Sequence, residues 1–190
     1  MFSGFVILFD ASVFYPAPVR DLFLELAIAD LYRAKWTDQI HDEWIENLLR
    51  KRPDLKRSKL ERTKKLINDS IEDCLVNDYQ EFIASLKLPD PDDRHVLAAA
   101  IKGKAQIIVT YNLKDFPTGV LSKFGIEAQH PDEFFLNQVD LNLPAFLTAV
   151  KSIRINLKKP PKNPSEYIAI LRKHTLLQTA EFLESYIDLI

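Results

Sequence analysis

Acidic side chains stand at or near the ends of short apolar segments in separate parts of the chain. Asp10 ends FVILFD, Asp90 and Asp93 lie in LPDPDDRHVLAAA, and Asp115 ends IIVTYNLKD, while Glu43 lies within HDEWIENLL. Because parallel strands end at a common crevice, we expect the residues that follow two of these runs to converge there. Carboxylates brought together repel one another unless a divalent cation lies among them. The sequence therefore predicts an acidic metal site that acts on phosphodiesters.

Each of these residues also has a purely structural explanation. Asp10 could cap the turn that follows it, Asp93 could be the N-cap of the next helix, and Asp90 could be a turn residue. Glu43 could be an ordinary exposed helix residue. Three aspartates among residues 90–93 nevertheless exceed what capping requires, and that density favours a nearby cation.

Several polar neighbours could support such a site. Ser12 could orient Asp10 through a hydrogen bond, and Thr110 and Asn112 follow the second apolar run. Asn112 could form a local turn or could orient a carboxylate or a metal-bound water without adding charge. His95 is expected to be structural, because a single imidazole makes a poor zinc site.

Composition narrows the class of protein. The chain has 190 residues, 47% hydrophobic and 27% charged, which suits one domain with an appendage. It contains neither GxxxxGK(S/T) nor GxGxxG, so a nucleotide cofactor is disfavoured. A single cysteine, Cys74, excludes an internal disulfide and a cysteine-rich zinc site.

No apolar stretch approaches the ~20 residues of a membrane span. We therefore expect a cytoplasmic protein without membrane contact. The net charge of −2 mildly disfavours nucleic-acid binding, but the basic residues are unevenly distributed.

Residues 50–65 contain nine Lys or Arg. This run could be a solvated helix face, or it could contact the phosphates of a polyanion without reading its sequence. Under the second interpretation Arg57, Lys59 and Arg62 are the candidate residues for contacts with such a polyanion.

Hydrophobic periodicity predicts the elements that must position these residues. We expect strands at 5–9, 106–110 and 126–129, and helices at 19–33, 38–50 and 94–102. A helical stripe from Leu60 to Leu75 would place Cys74 in the interior. Alternating strands and helices indicate a parallel α/β sheet. After residue 137 the pattern becomes helical, which predicts a core domain at 1–137 and an all-helical appendage at 138–190.

With these motifs in view, the chain resembles the PIN-domain family, and within it the VapC-type toxin ribonucleases. The resemblance rests on FDASVF, Glu43, LPDPDDRHVLAAAI and IIVTYNLKDF, and covers residues 5–136. It implies a three-layer α/β/α fold and RNA cleavage that depends on Mg²⁺ or Mn²⁺. The segment PPKNPSEYIAILRKHTLLQTAEFLES also resembles the helical C-terminal extension of some of these toxins.

The resemblance also implies site roles and partners. It assigns catalysis to Asp10, Glu43, Asp93 and Asp115, and metal binding to Asp10, Glu43, Asp93 and Asp90. The chain departs from the family pattern after Thr110, where Asn112 replaces an aspartate and one residue is inserted before Asp115. The implied partners are an RNA substrate, an antitoxin protein and a second copy of the chain in a homodimer.

Two other classes of function compete with this interpretation. The chain could be a degenerate PIN-like module that binds RNA or protein without catalysis, and Asn112 is the residue that favours this. An aspartyl-nucleophile phosphatase would need a second aspartate two residues after Asp10, where this chain has Ser12. A DNA-directed nuclease stays open at this point.

Overall fold

A computed structural model of the chain describes residues 4–190, so the first three residues of the predicted core domain lie outside the described part. Its centre is a four-stranded, fully parallel sheet with the strand order β2-β1-β3-β4. The strands are β1 (Val6–Phe9), β2 (Arg33–Lys35), β3 (Ile107–Val109) and β4 (Glu127–Gln129).

In the described part of the chain, ten α-helices surround this sheet and continue beyond it. They are α1 (Ala11–Phe14), α2 (Ala17–Ile28), α3 (Asp38–Lys51), α4 (Arg57–Ser70), α5 (Gln80–Ile83), α6 (Arg94–Lys102), α7 (Thr118–Leu121), α8 (Pro131–Asn156), α9 (Pro164–Lys173) and α10 (Leu177–Glu184). The predicted three-layer α/β/α fold with a helical C-terminal appendage is confirmed. Within residues 4–190, no helix has both the length and the apolar character needed to cross a membrane.

The central strands are apolar because neighbours cover both of their faces. Leu8 and Ile108 are completely buried. Within the sheet, Leu8 of β1 pairs with Lys35 of β2 along one edge and with Ile108 of β3 along the other. Such strands have no solvated face, which explains why they do not alternate apolar and polar residues. The carboxyl ends of β1 and β3 therefore lie side by side, and the backbone N–H of Asp10 donates to the carbonyl of Val109 at 3.1 Å.

An aromatic cluster joins the sheet to the first half of α8. The Phe23 ring lies 4.7 Å from that of Phe9 in β1 and 4.3 Å from that of Phe135 in α8. Phe134 and Phe135 are both fully buried. Burying such side chains contributes about 1.5–3 kcal/mol each, so the start of α8 is part of the core around the sheet.

Helix α8 changes direction at Asn142, whose φ and ψ of −157° and 80° are not helical. The Asn142 side chain accepts a hydrogen bond from the Ala145 N–H at 3.1 Å and so caps the second half of the helix. The predicted division after residue 137 falls inside α8, and this division stays a prediction.

A buried carboxylate fixes the appendage to the core. Asp132 in α8 accepts hydrogen bonds from the N–H groups of Gln178 and Thr179, at 2.9 and 2.8 Å, and from the Thr179 hydroxyl at 2.7 Å. These N–H groups lie at the start of α10, whose N-cap residue Leu176 has no acceptor side chain. Asp132 therefore supplies from another helix the cap that α10 lacks.

Two sequence predictions were wrong in this part of the fold. The helix predicted for 19–33 ends at Ile28, and Arg33–Lys35 forms the edge strand β2. The stripe from Leu60 to Leu75 does not stay helical, because α4 ends at Ser70 and Leu75 pairs with Trp36 beside the sheet. The segments Arg33–Lys35 and 71–75 are too short for periodicity to separate helix from strand. The predicted burial of Cys74 is confirmed.

Replacing Asp132 by Ala should destabilise the protein by about 2 kcal/mol, because two buried N–H groups lose their acceptor. We expect the melting temperature to fall by about 4–8 °C, measured by circular dichroism. Asp140→Ala, at an exposed position on the same helix, is the matched control and should change it little. Equal melting temperatures for both variants would contradict the capping role of Asp132.

Candidate active site

Asp10 is a buried carboxylate held by three hydrogen bonds. It is 4% exposed and follows β1 directly. One oxygen accepts from the Ala11 N–H at 2.7 Å, and the other accepts from the Ser12 hydroxyl at 2.6 Å and from the Thr110 hydroxyl at 2.8 Å. Of the three residues predicted to support the site, Ser12 and Thr110 contact Asp10, and their donors offset part of the cost of burying its charge.

The two hydroxyls that bind Asp10 are themselves oriented by the backbone after β3. The Ser12 hydroxyl accepts from the Tyr111 N–H at 3.2 Å, and the Thr110 hydroxyl accepts from the Asn112 N–H at 2.9 Å. Because each oxygen accepts a backbone proton, its own proton points toward Asp10. It is therefore the Thr110 hydroxyl that forms the local turn expected of Asn112, whose side chain is exposed.

Asp93 lies among other carboxylates. Burial raises its pKa, with further contributions from the charges of Asp10, Asp90 and Asp115, and the pKa reaches about 7. Four of the predicted site residues therefore interact electrostatically, although they come from three separate parts of the sequence. A carboxyl group with so high a pKa in a cleft is typical of a functional site.

The predicted roles of Asp90 as a turn residue and of Asp93 as a helix cap can be checked against their hydrogen bonds. Asp90 accepts from the Asp92 N–H at 2.9 Å and begins the 3-10 turn Pro91–Asp93, so it does act as a turn residue. Asp93 occupies the N-cap position of α6, but its side chain makes no capping hydrogen bond. Helix capping therefore does not account for Asp93.

Glu43 has a partner that the sequence did not predict. One of its oxygens lies 2.7 Å from Nε2 of His95, which is 3% exposed and sits in the first turn of α6. Nδ1 of His95 is buried and has no partner among residues 4–190. The signal was available in DDRHVLAAA, where an imidazole precedes an apolar run, but only the fold brings α3 against it.

The donors in this region suit a hard divalent cation. Among the side chains that the structure describes, no three His, Cys, Asp or Glu groups are arranged to hold one metal ion together. Mg²⁺ does not require such a cluster, because it is usually bound by one or two carboxylates and keeps several waters. The uncompensated repulsion on Asp93 fits that chemistry, with Asp10 and Asp93 as the first candidates.

The basic run around α4 is largely neutralised by nearby carboxylates. Arg57 pairs with Glu46 and lies 3.6 Å from Glu61, while Lys64 contacts two carboxylates of α3 at 2.9 and 3.0 Å. Lys59 and Arg62 are exposed and have no carboxylate partner in the described part of the chain. The assignment of Arg57, Lys59 and Arg62 to RNA binding stays a prediction.

A groove of about 490 Å³ opens beside Asp10, between the core and the last helices. We call it the extension groove, and the following six of its lining residues define it: Ser12, Tyr15, Lys51, Tyr111, Lys173 and His174. Sequence reasoning missed this groove, because no motif links the end of α3 to the end of α9.

Comparison with known proteins gives the class of the chain. A family model described as "PIN domain" matches residues 6–114, which is more than half of the 190 residues. The chain belongs to the PIN-domain family, and the resemblance inferred from its motifs is confirmed.

A second family model, "VapC50 C-terminal domain", matches residues 131–185 and so covers most of α8 to α10. The chain is also 39% identical over 93 residues to "Putative ribonuclease VapC50" of Mycobacterium tuberculosis (strain ATCC 25618 / H37Rv). That alignment covers 49% of this chain and 54% of the relative, so it spans about half the length of each protein. No solved structure matches the chain.

Asp93→Asn should stabilise the protein in the absence of divalent ions, because it removes a charge that its neighbours repel. Since the folded pKa of about 7 lies above the ordinary value of 3.8, folding is penalised above pH 7 and the penalty disappears as the pH falls toward 3.8. We expect a gain of about 2–4 °C in melting temperature at pH 8 and almost none near pH 4.

Calorimetry in EDTA would measure this gain, with the exposed neighbour Asp92→Asn as the control. A lower melting temperature for Asp93→Asn at pH 8 would mean that its carboxylate is a structural acceptor.

Proposed function

We propose that the chain is a divalent-metal-dependent endoribonuclease and the toxin of a type II toxin–antitoxin system. The observation that carries the proposal is the buried Asp10 carboxylate, which three hydrogen bonds hold where β1 of a PIN-domain sheet ends. The charges of Asp10, Asp90 and Asp115 also raise the pKa of Asp93, after the larger effect of burial. The similarity to a protein named as a ribonuclease supports the choice of RNA over DNA.

Asp10 and Asp93 are the residues proposed to hold the ion. Both oxygens of Asp10 accept hydrogen bonds and none donates, which is the arrangement of an ionised carboxylate. Its rotamer is fixed before any ion arrives, so ordering this ligand costs little additional entropy. Asp93, in contrast, has lone pairs that no donor among residues 4–190 uses, and a cation would stabilise its ionised form.

A bound Mg²⁺ or Mn²⁺ would lower the pKa of water and offset the charge that develops on the phosphate. In the proposed reaction the oxygen of this water forms a bond to phosphorus while the bond from phosphorus to the 3′ oxygen breaks and that oxygen takes up a proton, which leaves a 5′-phosphate and a 3′-hydroxyl. The chain needs no side-chain nucleophile for this reaction, and no Ser-His-Asp arrangement appears among the described contacts at this site.

The other predicted residues are proposed in surrounding roles. Asp90 and Asp115 add negative charge around Asp93, and Asp115 follows Asn112 where the family pattern is interrupted. Glu43 is proposed to act at the edge of the acidic cluster, where His95 orients it. In this proposal Glu43 and Asp90 bind metal through waters or after a change of rotamer.

The proposed partners follow from the proposed activity. A ribonuclease without an inhibitor would damage the RNA of its own cell, so we propose a cognate antitoxin protein. A homodimer is proposed as well, on the resemblance to VapC-type toxins alone.

Asp10→Asn should abolish cleavage of total cellular RNA, by at least about a hundredfold if Asp10 is a ligand of the ion. EDTA should have the same effect on the wild-type protein, and added Mg²⁺ should reverse it. Gel electrophoresis of the RNA measures cleavage, and circular dichroism tests that the variant folds. Asp92→Asn should cleave at the wild-type rate, whereas cleavage by Asp10→Asn at that rate would exclude the proposed site.

The second candidate is a PIN-like module that binds RNA or protein without catalysis. The absence of a three-ligand metal group among the described side chains favours it, together with Asn112 in place of an acidic residue. Titration calorimetry with Mn²⁺ separates the two functions: a nuclease should release or absorb heat at a single class of site, and Asp93→Asn should remove that heat. No heat with the wild-type protein would favour the binding module.

A further inference from the structure

The extension groove begins next to the residue on which the proposed chemistry depends. Ala11 and Ser12, the two residues after Asp10, line the groove, and the Ser12 hydroxyl bonds to Asp10 at 2.6 Å. Asn112 lines it as well. The groove therefore begins one or two protein residues after Asp10, and a polymer whose reacting group lies at Asp10 would extend into it.

The charge of the groove is opposite to that of the acidic cluster. None of its lining residues in the described chain is acidic, and it contains Lys51 and Lys173. Both lysines are exposed, and no carboxylate in the described residues pairs with either of them. Arg57 and Lys64 of α4, in contrast, already pair with carboxylates. In a chain with a net charge of −2, such a groove favours an anionic ligand.

The shape and lining of the groove suit an unpaired nucleotide. Its volume of about 490 Å³ is in the range of small-ligand pockets. The half-buried Tyr15 ring lies on one wall, and the Lys51 ammonium lies over one face of this ring, 4.6 Å from its centre. Aromatic faces beside cations are the usual way in which proteins bind single strands without reading their sequence.

The two walls of the groove are held at a fixed separation. The Tyr111 hydroxyl, which belongs to the core, donates to the carbonyl of His174 in the extension at 3.1 Å. Asp132 fixes the start of α10 a few residues further along. The extension therefore presents Lys173 to the core as part of a preformed surface.

We infer that the extension groove binds one or two nucleotides of single-stranded RNA adjacent to the cleaved bond, with Lys51 and Lys173 on the backbone phosphates and a base against Tyr15. This inference rests on the proposed function and extends it, because it makes the C-terminal extension a direct part of the substrate site. Truncation or displacement of the extension would then weaken RNA binding even though every acidic residue remains.

The test uses the full chain with Asp10→Asn, which prevents cleavage, and a short fluorescein-labelled single-stranded RNA whose anisotropy reports binding. Lys51→Glu combined with Lys173→Glu should raise the dissociation constant at least about tenfold and reduce the slope of log K against log salt by about 1.4, the value for two phosphates of a single strand. Lys123→Glu with Lys158→Glu, the same charge change at exposed positions outside the groove, should leave that slope unchanged.

The tyrosine is tested separately from the charges. Tyr15→Leu should weaken binding about fivefold or more, whereas Tyr15→Phe should retain it because the stacking face remains. If the double glutamate variant does not fold, Lys51→Gln with Lys173→Gln gives the same comparison with less repulsion.

The outcomes separate this inference from the proposed function. Wild-type protein that binds RNA through the two lysines but never cleaves it would reject the nuclease and retain the groove. Cleavage by the wild-type protein with unchanged RNA binding in the lysine variants would retain the nuclease and overturn the groove. Unchanged RNA binding together with lost binding of an acidic protein partner would assign the groove to that partner and also overturn the inference.

Discussion

The structure depends on keeping a charged group where the two central strands of a parallel sheet end. Asp10 is almost completely buried, and an isolated buried carboxylate would cost several kcal/mol. The Ala11 N–H and two hydroxyls, from Ser12 and Thr110, offset that cost. Because Thr110 comes from the end of β3, this charge is stable only when β1 and β3 are paired in register. The contacts that form the site therefore also stabilise the register of these two strands.

The acidic cluster destabilises the fold locally, and the core compensates for it. The charge on Asp93 is opposed by burial and by three neighbouring carboxylates, and such strain is common where residues are placed for function. The aromatic cluster of Phe9, Phe23 and Phe135 offsets this penalty, because it contributes apolar burial without any polar requirement. Helix α8 supplies part of that cluster, so the C-terminal part contributes to the stability of the core.

Much of the fold and of the site follows from the sequence, because the strongest signals are local. The apolar runs before Asp10 and Thr110 predicted the central strands, and strand ends in a parallel sheet converge whatever their separation in the chain. The edge strand β2 was not predictable from three residues, since their burial is set by neighbours. The pairing of Glu43 with His95 was missed for a related reason, because it depends on how α3 packs against α6 and leaves no spacing in the sequence.

If the extension groove binds RNA as we infer, the helical appendage and the PIN-domain core act as one binding surface. Asp93 and its neighbouring carboxylates interact with Asp10, while the groove beside Asp10 contains two lysines that no carboxylate among residues 4–190 pairs with. Ser12 bonds to Asp10 and also lines the groove. A polyanion crossing this boundary meets attraction along the groove and repulsion at the acidic cluster unless a cation is present there. Substrate binding and metal binding would then be coupled through charge alone, since each removes the electrostatic cost of the other. This coupling requires Lys173 to stay beside the core. The Asp132 cap on α10 helps to hold the extension there.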